Sequence, residues 1–256
     1  MNFFARILRR WYRSIPQDDQ GKLRWGRYFR RLTIKLVLWF FGITVGLALL
    51  YSFLPVPVTP LMLERCWQQS WDPEREMRLR HDWVSFSELS PHLQLAVVCS
   101  EDQDFLEHEG FDFEAIEKVA KQNEKLQKKG KPIKGASTIS QQCAKNVFLF
   151  PQRSYLRKGL EVYFTFLIEL FWSKKRIMEV YLNVIEMGDG IYGAQAASTY
   201  FFNKDASKLS AAEAATLAAV LPNPRKWNAG KPTAYIIKRK NWILNQMSHL
   251  RGTVQL

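Results

Sequence analysis

Two carboxylates and one polar helix face carry the chemistry available to this chain. Glu101 opens a run of acids with Asp102 and Asp104, Glu161 follows four residues after Arg157, and between them lies GASTISQQCAKN, Gly135 to Asn146. On a helical wheel at about 100° per residue, Thr138, Gln141 and Lys145 share one sector of about 60°, with Ile139, Cys143 and Val147 nearly opposite. One side is apolar and the other is chemically equipped. Thr138 with Gln141 fits the Ser/Thr-x-x-Gln capping box, so a helix starts here with free N–H groups and a positive dipole end, a seat for an anion. The same residues equally describe an amphipathic helix with a solvated face. Glu161 equally describes an i,i+4 ion pair with Arg157, worth a few tenths of a kcal/mol.

The elements that must position these groups are mostly helical. Ser90-Pro91 is a cap followed by proline at the first turn, and LQLAVVCS carries that helix to Glu101-Asp102. Acids at a helix C-terminus face a dipole that disfavours negative charge, one way to poise a base. Phe105, His108, Gly110 and Asp112 follow in a polar and aromatic weave whose spacing matches no standard metal loop. Residues 121–134, KQNEKLQKKGKPIK, read as a mobile charged loop. Ser154 caps a helix that carries Arg157, Lys158 and Glu161 on its first turns. It then becomes apolar on all sides from Val162 to Trp172 apart from Thr165 and Glu169, as a buried helix or one lying at a membrane surface would. Burial in the core is the expected fate.

A further helix starts at Ser173 and ends before Gly188. Gly188, Gly190 and Gly193 spell GxGxxG, but helical spacing precedes them, so they read as a glycine turn and not a dinucleotide fingerprint. Ala194 to Phe202 is helical. Ser210 and Glu213 form a capping box for a helix to Leu221 that Pro222 and Pro224 terminate, and a last helix runs from about Thr233 to Leu250. Strand signals are sparse, so the expected fold class is mainly α.

Ahead of this domain, Leu36 to Leu54 reads LVLWFFGITVGLALLYSFL without a charge, enough for about 30 Å of hydrocarbon. Large residues and Pro55-Val56-Pro57 follow where a cleaved leader would show small ones, so this is an uncleaved transmembrane helix. Residues 1–35 hold ten Lys and Arg against Asp18 and Asp19, which places the N-terminus in the cytoplasm and the rest across the membrane. They supply +8 of the formal charge of +13, so topology and lipid affinity account for most of the basic character and nucleic acid is excluded as a partner. The expected organisation is a basic cytoplasmic segment over 1–35, a transmembrane helix over 36–54, a linker or short hairpin over 55–89, and one domain over 90–256. Three cysteines, Cys66, Cys99 and Cys143, with no CxxC or Cys/His spacing, indicate neither a disulfide framework nor a zinc site.

Taken in order, five stretches resemble the peptidoglycan glycosyltransferase family, above all its stand-alone members. They are Glu101-Asp102 with Phe105, His108, Gly110 and Asp112; GASTISQQCAKN; Arg157-Lys158-x-x-Glu161; SKKRIMEVYLN with GDGIYGAQAASTYFF; and LSAAEAATLAAVLPNP. Ala136 stands where many members have a second Gly, and Ser140 where Thr is frequent. The resemblance implies a lysozyme-like helical domain that polymerises lipid II into glycan strands by inverting transfer, releasing undecaprenyl diphosphate. It implies Glu101 as the general base on the acceptor hydroxyl, Lys145 and Arg153 on the donor diphosphate, and Glu161 as a second carboxylate that positions substrate or a divalent cation. Ser137, Thr138, Ser140, Gln141 and Asn146 would line the donor site, with Arg157 and Lys158 adding positive charge, and Asp102, Phe105 and His108 organising it. No cofactor is required by the sequence, and the resemblance leaves room for a divalent cation, magnesium or manganese. The implied partners are lipid II, the growing strand, the inner membrane, and cell-wall synthesis or division proteins. The implied location is the bacterial inner membrane with the catalytic domain periplasmic.

The residues bear on the reaction independently. A glycosidase needs a protonated acid for its alkoxide leaving group, whereas a diphosphate leaves once its charge is neutralised. The cations Lys145, Arg153, Arg157 and Lys158 therefore favour transfer. A muramidase or lytic transglycosylase, and a non-catalytic membrane-anchored scaffold, remain the alternatives. No serine has Lys three positions later, so the acylating Ser-x-x-Lys of a transpeptidase is absent and cross-linking is not expected.

Overall fold

A computed structural model describes residues 25–71, 77–130, 135–152 and 154–250. The chain divides after Leu50 into two compact units. The first contains most of α1, Trp25–Tyr51, which begins eleven residues earlier than the apolar run Leu36 to Leu54 and ends three residues before its end. This helix is long and apolar enough to cross a membrane.

The second unit is mainly α, as expected. Its helices are α2 (Pro60–Ser70), α3 (Pro91–Glu101), α4 (Phe113–Gln127), α5 (Ile139–Phe148), α6 (Tyr155–Phe171), α7 (Lys174–Val184), α8 (Ala194–Phe202), α9 (Ala211–Val220) and α10 (Ala234–His249). The starts read from the sequence are realised by the caps themselves. Ser90, Thr138, Ser154, Ser173, Ser210 and Thr233 each accept a backbone N–H of the first turn, and Thr138 with Gln141 and Ser210 with Glu213 close full capping boxes. Two groups of helices result. The Ala-rich α9 packs against α3 and α10, while α5 packs against α6 and α7. Small side chains let α9 approach both neighbours closely, and its residues Ala214 to Val220 are nearly all fully buried.

Two expectations need correction. Residues 55–89 are not a linker with a hairpin: Thr59 caps α2 with Pro60 at its first position, and β1 (Arg80–His81) pairs in parallel with β3 (Ile191–Tyr192). β3 pairs antiparallel with β2 (Glu186–Gly188), so a strand remote in sequence supplies the partner that a local hairpin would have provided. The glycine turn joins β2 to β3. Gly190 has φ +71, and a Cβ there would sit 2.3 Å from the Arg78 carbonyl oxygen, so the turn requires glycine. The charged stretch that began at Lys121 is helical as far as Gln127, since α4 continues through it. Lys, Gln and Glu are good helix formers, Asp112 caps the start, and Lys121 pairs with Glu117 at 2.5 Å. Residues 131–134 lie outside the described residues.

The helix α6 differs in its surroundings. Phe164, Thr165, Leu167 and Ile168 are buried, but Val162, Phe166 and Leu170 are exposed on the other face, with Tyr155 and Leu156 exposed at its start. The all-round apolar pattern therefore reflects one face packed on α5 and one face left open, in place of full burial.

Candidate active site

The site forms where the C-terminus of α3 meets the N-terminus of α5. Asp102, the C-cap of α3, accepts the backbone N–H of Ile139 on Oδ2 at 2.9 Å. The anion seat at the start of α5 is thus filled by the protein's own carboxylate, which locks the two helix groups together. His108 Nε2 contacts both oxygens of Asp102, at 2.9 and 3.1 Å. The backbone N–H of Gly110 donates to His108 Nδ1 at 3.1 Å, which fixes Nδ1 as the acceptor and Nε2–H as the donor to Asp102. His108 therefore braces the joint.

A second layer stiffens this joint. Lys174 donates to the His108 carbonyl at 2.5 Å and pairs with Glu169 at 2.8 Å, and its ammonium lies 4.8 Å from the Phe105 ring centroid. Ser140 donates to Glu169 at 2.5 Å, and Thr138 Oγ1 donates to the Gly110 carbonyl at 2.7 Å. Phe105 and Ser140 are completely buried. Of the expected substrate contacts, Phe105, His108 and Ser140 accordingly stand behind the wall of the site.

Two cavities open in front of that wall. One, of 410 Å³, is lined by Ser137, Gln141, Gln142, Lys145, Asn146, Arg157, Lys158 and Glu161. The other, of 690 Å³, is lined by Glu101, Asp102, Asp104, Ser137, Thr138 and Gln142, with Lys118, Tyr235 and Arg239. Ser137 and Gln142 border both. Arg153 lies outside the described residues.

Glu101 is half-buried and held at both oxygens: Ser100 Oγ donates to Oε1 at 3.2 Å and Gln142 Nε2 to Oε2 at 3.0 Å. Gln142 is itself oriented by the hydroxyl of Tyr181, fully buried on α7, which donates to its Oε1 at 3.1 Å. Sequence reasoning missed Gln142 although the signal was present, for on the same wheel it falls about 40° from Thr138. Tyr181 carries no such signal, because its partner lies 39 residues away.

Glu161 is 3% exposed, and the ion-pair reading holds. Arg157 Nη1 lies 2.6 Å from its Oε2, and Lys158 contacts its Oε1. Both oxygens are engaged by cations, and among the described residues no three or more His, Cys, Asp and Glu side chains gather in one place. Burial pushes the Lys145 ammonium below the usual lysine range; Glu161 opposes that shift, while Arg157 and Lys158 reinforce it. The smaller cavity, lined by Arg65, Lys145, Arg157 and Lys158 against the carboxylates of Glu161 and Glu186, therefore holds more positive than negative charge. Cys143, opposite, is fully buried and its thiol is pushed up by desolvation, as a core residue's would be.

Comparison with known proteins shows the family. A family model described as transglycosylase matches residues 71–248. A biosynthetic peptidoglycan transglycosylase of Bacteroides thetaiotaomicron is 56% identical over 218 residues, 85% of this chain and 86% of that protein. Proteins of the same name from Bdellovibrio bacteriovorus and Pseudomonas putida are each 50% identical, over 225 and 223 residues, covering 88% and 87% of this chain and 88% and 92% of their own. With the matched region spanning α3 to α10 and every side chain of both cavities except Leu61 and Arg65, the chain belongs to the transglycosylase family.

Proposed function

We propose that this protein polymerises peptidoglycan glycan strands from lipid II by inverting glycosyl transfer, releasing a polyprenyl diphosphate. The observation that carries the reading is the division of labour between the two cavities, one cationic and one holding Glu101, with Ser137 and Gln142 on their shared border. The donor's diphosphate occupies the cationic cavity, where Lys145, Arg157 and Lys158 neutralise the charge that develops as the anomeric C–O bond breaks. The acceptor's sugar occupies the larger cavity. Its 4-hydroxyl attacks the anomeric carbon from the opposite face while Glu101 takes the proton, and Ser100 and Gln142 keep the carboxylate aimed. Glu161 acts through Arg157 and Lys158 by holding both cations on the cavity wall, which makes it a positioning residue. No metal is routed through these steps.

The helix α1 anchors the chain in the bacterial inner membrane with the second unit on the periplasmic side, a topology supported by the basic residues ahead of it. A lipid-linked substrate remains in the bilayer, so an anchored enzyme meets it at the surface.

Purified protein incubated with lipid II in detergent should yield long glycan. Glu101→Gln should lower kcat by about 10²–10⁴-fold, the range for loss of a general base. Glu161→Gln should instead raise KM for the donor and retain measurable kcat. Cleavage of preformed glycan without polymer formation, or undiminished turnover by Glu101→Gln, would overturn the reading.

A further inference from the structure

The cationic cavity contains a second polar station outside the motifs that carry the family resemblance. Arg65 of α2 and Glu186 of β2 also line it, together with the apolar side chains of Leu61, Ile185, Leu221 and Pro224. Glu186 is 5% exposed. Its Oε2 lies 3.6 Å from Arg65 Nε, which is charge contact but too long for a good hydrogen bond. Its Oε1 and Arg65 Nε are both buried without a hydrogen-bond partner, and so is Asn146 Nδ2 on the same cavity wall. Arg65 is steadied from behind, since its Nη1 donates to Gln68 at 2.8 Å.

Four buried, unpaired polar atoms, Arg65 Nε, Asn146 Nδ2, Arg157 Nε and Glu186 Oε1, belong to side chains that line this cavity, the first, second and fourth beside its apolar end, and they specify the chemistry of what fills it. Each has lost its water without gaining a hydrogen bond of its own, although the Glu186 carboxylate as a whole is helped by the Gly190 backbone and the charges of Arg65 and Arg225, so a ligand that pairs with these atoms recovers that loss. A diphosphate offers acceptors only. It would satisfy Arg65 and Asn146 but leave Glu186 Oε1 unpaired and bring like charges together. A ligand that presents both hydroxyl or amide donors and oxygen acceptors satisfies Arg65, Asn146 and Glu186 together, and a ring with an apolar C–H face suits Leu61, Ile185, Leu221 and Pro224. Burial also pushes the Glu186 carboxyl up, with Arg65 and Arg225 opposing, so a polar neutral ligand is the better match there than an anion.

We infer that Arg65 and Glu186 grip a sugar ring of the donor, Glu186 Oε1 accepting from a hydroxyl or acetamido N–H while Arg65 Nε and Asn146 Nδ2 donate to ring oxygens. The inference rests on the reading of this cavity as the donor site. It divides that site in two: Lys145, Arg157 and Lys158 bind the leaving diphosphate, and the Arg65–Glu186 pair fixes the sugar whose anomeric carbon must face the acceptor. Arg65 comes from α2, which precedes the matched residues 71–248, so the short helix after the anchor becomes part of the donor site.

The test uses the full-length protein in detergent and two probes, a polyprenyl diphosphate carrying the disaccharide and the same polyprenyl diphosphate without sugar. The double variant Arg65→Met with Glu186→Leu replaces the pair by apolar side chains of similar size, an exchange that buried ion pairs often tolerate without loss of stability. Affinity for the sugar-bearing probe should fall by about tenfold or more, the order expected for one lost hydrogen bond to a charged group. Affinity for the bare diphosphate should stay unchanged. Equal losses with both probes, or no loss with the sugar-bearing one, overturn the inference alone. A wild-type protein that binds neither probe overturns it together with the donor-site reading. Should the double variant lose its thermal transition, Arg65→Lys, which keeps a positive charge beside Glu186 but removes the guanidinium Nε donor, reads the same ratio.

Discussion

Lys145 shows how a residue's surroundings set its task. It sits on the polar face of α5 with Arg157, Lys158 and Glu161 around it, and burial holds its ammonium below the ordinary lysine range. A cation that is costly to charge binds an anion well, because the ligand restores the interactions that burial removed. On the proposed donor role the protonated form is the one that binds, so donor affinity should be present below the lowered pKa and lost as pH rises through it, at a lower pH than an ordinary lysine near 10.5 would give. Lys145→Arg should move that alkaline limb upward, because guanidinium stays charged. Diphosphate binding measured against pH checks this, and an unmoved limb would assign the titration to another group.

At the scale of elements, the site depends on the joint between α3 and α5 more than on either helix. Asp102, His108 and the Gly110 turn form the hinge pin, and Gly110 shows how little room the joint has. Its φ is +85, and a Cβ would meet Thr165 Cγ2 and Glu169 Cγ at 2.9 Å each, backbone strain and steric conflict together. Gly110→Ala should therefore cost about 2 kcal/mol or more in stability, measured by urea unfolding. Activity should fall beyond what unfolding explains, since a shift of Gly110 also moves His108 and the carbonyl that accepts from Thr138. A variant with wild-type stability would show that the α6 side chains yield freely.

For the molecule as a whole, the second unit leaves large apolar side chains exposed, as the proposed lipid-linked substrate would favour. Phe166 and Leu170 are each 59% exposed on α6, too large an apolar surface to leave to water without a use. A further groove, lined by Leu63, Trp67, Met77 and Phe150, carries a Trp67–Trp71 ring pair at 5.4 Å, and tryptophan favours the membrane–water boundary. Both surfaces suit contact with a bilayer in addition to α1. Phe166→Lys with Leu170→Lys should leave the thermal transition unchanged, because neither side chain is buried. Polymerisation of substrate held in vesicles should fall about tenfold, and turnover of the same substrate in detergent should not. Equal rates in both settings would remove the α6 face from membrane contact.

The sequence by itself determined the local features of this protein: the caps at Ser90, Thr138, Ser154 and Ser210, the anchor helix, the mainly α class, and the motif residues. Caps and apolar periodicity act over a few residues, so they are written where they operate. Even the missed extent of α4 was local, a matter of weighing good helix formers against their charge. Tertiary structure decided what depends on residues distant along the chain. It set β1 beside β3, and it turned Phe105, His108 and Ser140 inward. It gave the α5 anion seat to Asp102, and it spread Glu101 and Glu161 over two cavities. The Arg65–Glu186 pair belongs here as well, 121 residues apart and joined only because α2 and β2 close on one cavity. Burial and hydrogen-bond satisfaction are properties of the packed whole, and no spacing along the chain encodes them.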